Sequence, residues 1–568
     1  MLSAIVETVS IAAIIPFLTI ATQPNAVLNI TYVVQFADLL SLENYEDIVF
    51  AFGLLSFCAL VIAAFFRVGS LFAQTQYASN QIKFLSVDLL SHLLGHPYEW
   101  FLNRNSADLE KTILSEVEAV VGSCVTAIIA MAAHLSLALL ILTLLVVIDI
   151  KVAGTSMLVI CSLYGFVYWI LRRTLLNAGI SRLQANMGRF QAVKEGLSSL
   201  KEVKLNGAEG VFISRLSSAA KTYSATRTTV AVTKQLPKFV IETFAFGGLL
   251  IFVSINVLQA GNFVSVVPMV ATYAFAGYRL MPSIQGIYSN YASLQSGRAS
   301  LLKLLGEFDQ QIKKQSGTNN HPKVSLQSSL RVEGVSYRYP DADKDALVST
   351  SLNISAGFVY GFVGKTGGGK TTLIDLIIGL LQPHAGRIYI DDIELTPENC
   401  KAWQSSVAYV PQNISLVDDT IAANIAFGVL EEDIDWDRLE KVAAATEVMS
   451  FVEQRFSNGL KDMVGEGGIR LSGGQRQRIG IARALYKGCS LLVLDEATSA
   501  LDAITEKKVM AGIRDFAANI TILMVAHRIN TINNDDVIYI LDQGKIRNSG
   551  TYAELLESDE DFRRLTNV

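Results

Sequence analysis

The sequence predicts a chain in two parts: an all-α polytopic membrane domain of six long transmembrane helices, then an α/β domain built around a P-loop. Three observations carry this. The 568 residues are 51% hydrophobic and only 17% charged, where a globular chain carries roughly 25% charged residues. The deficit is uneven, since 20 of the 47 Lys and Arg lie in residues 1–310, where uncharged residues collect into long runs. Residues 311–568 have the composition of an ordinary α/β domain and contain a Gly-rich loop between an apolar strand and an apolar helix. Disordered, fibrous and wholly soluble chains are excluded. A net charge of −5 gives no global reason to bind nucleic acid. The five cysteines (Cys58, Cys124, Cys161, Cys400, Cys489) have no metal-ligand spacing and read as buried free thiols.

The spans follow from counting runs against the ~20 residues that cross a bilayer. Residues 48–66 are uncharged for 19 positions, 119–148 for 30, 152–171 for 20 and 243–278 for 36, the last interrupted by the turn-like Gln259-Ala260-Gly261-Asn262. With the N-terminal run ending near Ala21, six spans are expected, at about 1–22, 46–75, 115–148, 151–175, 236–258 and 262–288. The membrane domain is expected over 1–305, a polar linker over 306–326 and the second domain over 327–568.

Lys and Arg in the connections set the orientation. The loop 23–45 and the turn 259–262 carry none, and the third outer turn carries only Lys151. By contrast, 172–238 holds twelve and 67–111 holds four. Both long connections, both termini and the second domain are therefore expected on the cytoplasmic side. A second helix unbroken to about His96 would be ~75 Å long at 1.5 Å per residue, against a ~30 Å hydrocarbon layer. Its excess must project into the cytoplasm. Polar interruptions at 103–106 and 205–209 mark where the projecting helices turn, placed to touch a cytoplasmic partner. The N-terminal run has no basic n-region and reads as a first span without its cytoplasmic lead-in, not as a signal peptide. Residues 30–42 have apolar positions near helical spacing. They suit either a short helix on the outer membrane surface or a hydrophobic cap over the span ends.

In the second domain, Gly361 to Thr372 contains G-x-x-x-x-G-K-[ST] between an apolar strand at 359–363 and an apolar helix at 373–381. This is a P-loop in its required context. The residues Gly364, Lys365, Thr366, Gly367, Gly368, Gly369, Lys370, Thr371 and Thr372 are the expected phosphate cradle, with backbone N–H groups converging at a helix N-terminus. Lys370 is expected on the β- and γ-phosphates of ATP, and the Thr371 hydroxyl on Mg²⁺. Farther on, the apolar strand 491–494 ends in Asp495 and Glu496. The first suits a contact to Mg²⁺ through water, the second a general base for an attacking water. Between these motifs lies Leu471-Ser472-Gly473-Gly474-Gln475, opening a helix over 477–485.

With these motifs in this order, the chain resembles the ATP-binding cassette transporters, and among them the exporter-type half-transporters, over essentially its whole length. The resemblance implies that Tyr339 in Tyr337-Arg338-Tyr339-Pro340 stacks on adenine, and that Gln412 in Val410-Pro411-Gln412 links Mg²⁺ to the membrane domain. It implies that Ser472, Gly473, Gly474 and Gln475 form the signature loop, that Asp502 in Ser499-Ala500-Leu501-Asp502 belongs to the D-loop, and that His527 is the switch histidine. In this family the signature loop closes over the γ-phosphate held by the opposite P-loop. One chain therefore cannot complete its own site. With every motif intact, a homodimer with two competent sites is the economical reading, a heterodimer its alternative.

Within exporters the chain resembles the PglK-like bacterial flippases of lipid-linked oligosaccharides, through Glu7-Thr8, Ile15-Pro16-Phe17, Phe66-Arg67, Leu236-Pro237-Lys238 and Tyr278-Arg279-Leu280-Met281-Pro282-Ser283. It departs from them at the missing lead-in and at Lys238, where arginine is expected. The resemblance implies an ATP-driven flippase in a bacterial inner membrane. Exporters of a peptide, another lipid or a hydrophobic small molecule are the alternatives, and an ATP-gated channel is disfavoured by the intact Glu496 and signature loop. Counted along their spans, Arg67, Lys238 and Arg279 reach a similar level near the inner leaflet, ~28, ~30 and ~24 Å deep. Intramembrane cations are costly, so they are the candidate substrate contacts, a positive belt for the diphosphate of a lipid-linked saccharide. Snorkelling to inner-leaflet phosphates is the bland alternative.

Overall fold

The computed structural model describes residues 2–22, 31–39, 44–148, 150–260, 267–309, 323–516, 520–525 and 536–565. It divides into two compact units. One comprises Met1–His96 and Asn103–Gln311, the other Pro97–Leu102 and Ile312–Val568.

The described part of the first unit is helical: α1 (Leu2–Thr22), α2 (Thr31–Leu39), α3 (Tyr45–Leu94), then, beyond the second unit's short α4 (Tyr98–Leu102), α5 (Ser106–Lys111), α6 (Val117–Val120), α7 (Thr126–Ile148), α8 (Ile150–Ser198), α9 (Leu200–Leu205), α10 (Glu209–Ala260) and α11 (Val267–Asp309). Wider π-helical turns at Thr112–Glu116 and Val121–Val125 flank α6. The 50 residues of α3 form one helix, ~75 Å long at 1.5 Å per residue. Among the described residues, Tyr45–Leu94 and Ser106–Val147 are long and apolar enough to cross a membrane. Residue 1 of the expected first span, 262–266 of the expected sixth, 310–322 of the expected linker, and 30 and 40–42 of the expected outer helix lie outside the described residues. The described portion of that outer segment is α2, whose buried Val33 packs with Ile20, Ile48 and Phe52. α11 runs past Gly306, into the expected linker, to Asp309.

Proline inside a helix leaves the carbonyl four residues earlier without its donor, and neighbouring helices capture the exposed groups. Beside Pro237, the Tyr288 hydroxyl donates to the Thr233 carbonyl at 3.3 Å and the Gln285 amide to the Lys234 carbonyl at 2.8 Å. Near Pro16, the Ala13 carbonyl, three residues before the proline, accepts from the Ser56 hydroxyl at 2.9 Å and ties α1 to α3. Near the turn that precedes α5, a buried polar network ties three helices together. Lys111 and Lys303 meet Asp108, the Ser300 hydroxyl donates to Glu116 at 2.6 Å, and Arg182 donates to Ser300 at 2.8 Å. Each buried charge has an opposite charge or a hydrogen-bond partner, which it needs in a low-dielectric interior.

Among the described residues, the second unit has ten strands: β1 (Ser329–Tyr337), β2 (Leu347–Ser355), β3 (Val359–Val363), β4 (Ala385–Ile390), β5 (Ile393–Glu394), β6 (Val407–Val410), β7 (Leu491–Asp495), β8 (Thr521–Val525), β9 (Val537–Asp542) and β10 (Lys545–Gly550). An antiparallel sheet has the order β2-β1-β4-β5, and a second sheet the order β10-β9-β3-β8-β7-β6, parallel except for β10. β7 and β8 are buried at every position, as strands covered on both faces must be. The parallel register pairs Phe362 with Val525 and Val525 with Asp495. The P-loop and the Asp495-Glu496 pair therefore leave the same sheet edge at the same level. That edge, beyond the carboxyl ends of parallel strands, is where open α/β sheets bind ligands.

Candidate nucleotide site

β3 ends at Val363, and the chain turns through three glycines with positive φ, Gly364 (153°), Gly367 (80°) and Gly369 (99°). A side chain at Gly364 would place its Cβ 2.1 Å from the Leu541 carbonyl oxygen, and one at Gly369 would lie 2.8 Å from that of Ala346. Only glycine fits both the dihedrals and the space. The helix Lys370–Ile377 follows. It starts earlier than the expected 373–381, because Gly369 makes the turn and Lys370 becomes its first residue. It stops sooner as well, before Gly379 at φ 74°. The buried Lys370 ammonium donates to the carbonyls of Gly364 at 2.7 Å and Lys365 at 3.0 Å. Burial lowers its pKa, against the opposing pull of Glu496 and Asp495. A helix N-terminus beneath a glycine turn, with an ammonium folded over it, fits a polyphosphate.

At the end of β7, buried Asp495 accepts from the Tyr409 hydroxyl at 3.1 Å. Glu496 follows in the left-handed region at φ 50°, an uncommon conformation for a residue with a side chain. Its carboxylate accepts from the Gln412 amide at 2.6 Å, and its N–H donates to the Val525 carbonyl at 3.2 Å. Gln412 and Glu496 are 84 positions apart, brought together by the β6–β7 pairing. Asp495, close enough to Lys370 to act on its charge, has the hard oxygen chemistry that suits Mg²⁺.

Ser472 caps the helix Gly473–Lys487, which starts earlier than the expected 477–485. A reciprocal capping box forms: the Gln475 N–H donates to the Ser472 hydroxyl at 3.3 Å, and the Ser472 N–H to the Gln475 side-chain oxygen at 2.9 Å. Both side chains thus serve the turn itself. Gly473 and Gly474 are the first two residues of that helix, so their N–H groups belong to its N-terminus. Asp502 also caps a helix, accepting from the Thr505 N–H at 3.0 Å, and that bond holds its carboxyl below the usual range. His527 lies outside the described residues.

Tyr339 is bonded to the cradle, its hydroxyl 3.1 Å from that of Thr372. Its ring meets Tyr337 edge-on at 5.1 Å. The fully buried Tyr337 hydroxyl donates to the Glu99 carboxylate at 2.8 Å. Burial, and then that bond, push the Tyr337 pKa far up, so the hydroxyl stays a donor. Glu99 lies in α4, in the segment Pro97–Leu102 that groups with the second unit, just before the turn singled out in the sequence. α3 ends at Leu94, close to the His96 expected, and Gly95-His96-Pro97 separates it from α4 as Gly and Pro punctuation does. Asp375 was also overlooked. A carboxylate inside the apolar run Leu373-Ile374-Asp375-Leu376-Ile377 was its signal. It is buried, and burial together with Asp495 raises its pKa to about 6.

Of the three candidate substrate cations, Arg67 pairs with Glu7. The pair is asymmetric, with 59% of the Arg67 side chain exposed against 11% of Glu7. Lys238 lies 3.8 Å from Glu242 one turn on, and the Arg279 side chain is outside the described residues.

Residues 347–499 match the family described as ABC transporter. A protein of Chromohalobacter salexigens, described as an ATP-dependent lipid A-core flippase, is 30% identical over 508 residues, 86% of this chain and 83% of that one. One of Cupriavidus metallidurans with the same description is 33% identical over 393 residues, 69% of this chain and 66% of that one. Among solved structures, a bacterial Atm1-family ABC exporter with ATP bound is similar at a TM-score of 0.78, covering 99% of this chain and 97% of that one. At 22% identity this likeness concerns the fold.

Proposed function

The chain belongs to the ABC transporters as an exporter-type half-transporter that hydrolyses ATP, and from that premise we propose that it flips an amphipathic lipid-anchored saccharide, of the lipid-linked oligosaccharide class, outward across a bacterial inner membrane. It is a multi-pass membrane protein. In this reading residues 1–305 form the membrane domain and 327–568 the cassette, which lies with both termini on the cytoplasmic side. Two copies pair, each signature loop, Ser472 to Gln475, facing the γ-phosphate on the partner's P-loop.

In each site, Tyr339 stacks on adenine while Gly364 to Thr372 hold the phosphates. Lys370 then exchanges its two carbonyl partners for phosphate oxygens, which suits an ammonium already desolvated and oriented. Mg²⁺ when bound neutralises phosphate charge, with Thr371, Asp495 and Gln412 as the groups that would hold it. Glu496, aimed by Gln412, takes the proton of the attacking water. Asp502 secures the D-loop helix, and His527 senses the γ-phosphate.

The cargo rests on one observation: relatives matched over 84% and 86% of this chain are described as ATP-dependent lipid A-core flippases. The geometry at Arg67 is compatible, since a buried carboxylate orients an exposed guanidinium whose remaining N–H groups can take a second anion. Arg67, Lys238 and Arg279 are the proposed headgroup contacts. The test is ATP-dependent movement in reconstituted vesicles, with labelled lipid-linked oligosaccharide and labelled lipid A-core as separate cargoes. Protection of the first from an outside probe is expected. Movement of lipid A-core alone would reassign the saccharide, and movement of neither under active ATP turnover would overturn the class.

A further inference from the structure

Gln477 sits one turn inside the signature helix Gly473–Lys487, 5% exposed. Both ends of its amide are spent on a single segment. Nε2 donates to the Ser499 hydroxyl at 3.1 Å and to the Glu496 carbonyl at 3.5 Å, while Oε1 accepts the Ala500 N–H at 2.9 Å. That segment, 496–500, carries Glu496 at its start and leads into the Asp502 cap at its end. The signature turn packs on the same place. A Cβ at Gly474 would lie 3.0 Å from the Ala500 carbonyl oxygen, and one at Gly473 3.5 Å from the Ala500 Cβ. Ser499 in turn donates its N–H to the Glu496 carbonyl at 3.1 Å, so 496–499 is one tight turn. A buried amide with its donor and acceptor both engaged makes its two supports move together, because separating them strands polar groups away from water.

In the composite-site reading proposed above, on which this rests, the signature turn serves the nucleotide on the partner while Glu496 serves the chain's own. We propose that Gln477 is a positioning residue that links the two ATP sites of the dimer, setting the backbone of Glu496 according to whether the signature turn of the same chain has engaged the partner's nucleotide. Gln477 touches neither nucleotide. Its effect passes through the 496–500 turn.

The experiment uses the full-length protein in vesicles of phosphatidylethanolamine and phosphatidylglycerol, with MgATP as probe. Gln477→Leu keeps the bulk and loses both hydrogen-bonding ends. It should lower kcat about tenfold, leave KM within about twofold and bring the Hill coefficient for ATP down to one. Gln477→Glu keeps the acceptor for the Ala500 N–H and should fall between Leu and the parent in both kcat and cooperativity. A structural defect would instead reduce kcat in proportion to folded protein, with cooperativity intact in the remainder. That result, or an unchanged kcat, overturns the proposal. The composite-site reading is checked separately with mixed dimers. Lys370→Ala on one subunit and Gly474→Asp on the other should spare one site, whereas both on one subunit should spare none. If the two arrangements behave alike, the composite reading fails whatever Gln477 does.

Discussion

Replacing Glu496 by glutamine isolates one chemical function while leaving the geometry around it intact. The Gln412 amide donates to the Glu496 carboxylate at 2.6 Å, and a glutamine oxygen can accept the same bond. The left-handed backbone at φ 50° costs the two side chains equally, since neither is branched at Cβ. Stability should therefore change by less than about 0.5 kcal/mol, the range of substitutions that break no specific feature. The proton acceptor is lost. General-base catalysis contributes ~10²–10⁴ in rate, so ATP turnover should fall by that factor, about 2.7–5.5 kcal/mol of barrier. Binding should not fall. Lys370 keeps its place, and one negative charge near the triphosphate disappears, so ATP affinity should hold or rise a few-fold at most. The assay pairs phosphate release with equilibrium binding of labelled ATP, and gel filtration should show ATP-dependent accumulation of the closed dimer. Turnover above about a tenth of the parent's would remove Glu496 from the role of base. Loss of ATP binding would show that the carboxylate holds the site together instead.

Tyr337→Phe removes only the donor to Glu99, and Glu99→Gln only the charge. Each should weaken stimulation of ATPase by transported substrate while basal ATPase persists, and the double variant should be no worse than either single one; additive losses would show that the two residues act apart. Arg279→Ala should abolish flipping with basal ATPase largely kept, and unchanged transport by an Arg67/Lys238/Arg279 triple alanine variant would dismiss the cationic belt. Asp375 gives a signed pH dependence: its pKa rises from 3.8 to about 6 on folding, so its ionisation opposes folding. The penalty is absent below pH 3.8, grows up to about pH 6 and is then constant, near 3 kcal/mol as an upper bound at 1.36 kcal/mol per unit. Asp375→Asn should therefore stabilise the nucleotide-free protein at pH 7.5 and not at pH 3.5, measured by denaturant unfolding; equal effects at both would refute the burial argument.

Parts of the site visible in the sequence are those whose chemistry is local. The P-loop must have glycines where φ is positive and Lys370 at the first helical position, and both constraints act within ten residues. The Ser472–Gln475 capping box is local in the same way. Helix starts were misplaced at 373 and 477 because apolar periodicity marks the buried face, whereas the helix begins at its cap, before that face appears.

By itself, the sequence determined that long uncharged helices precede an α/β nucleotide-binding domain, because burial of apolar runs and the backbone demands of a phosphate loop are written into neighbouring residues. The tertiary structure alone decided the partners. Parallel register puts Asp495 level with Val525 and Phe362, and the β6–β7 pairing brings Gln412 to Glu496. Packing of separate elements sets Asp375 near Asp495, Glu99 on Tyr337 and Glu7 on Arg67. No period or spacing encodes such contacts. They depend on which strand pairs with which and where helices far apart in the chain cross, and that is fixed by the burial of the whole core at once.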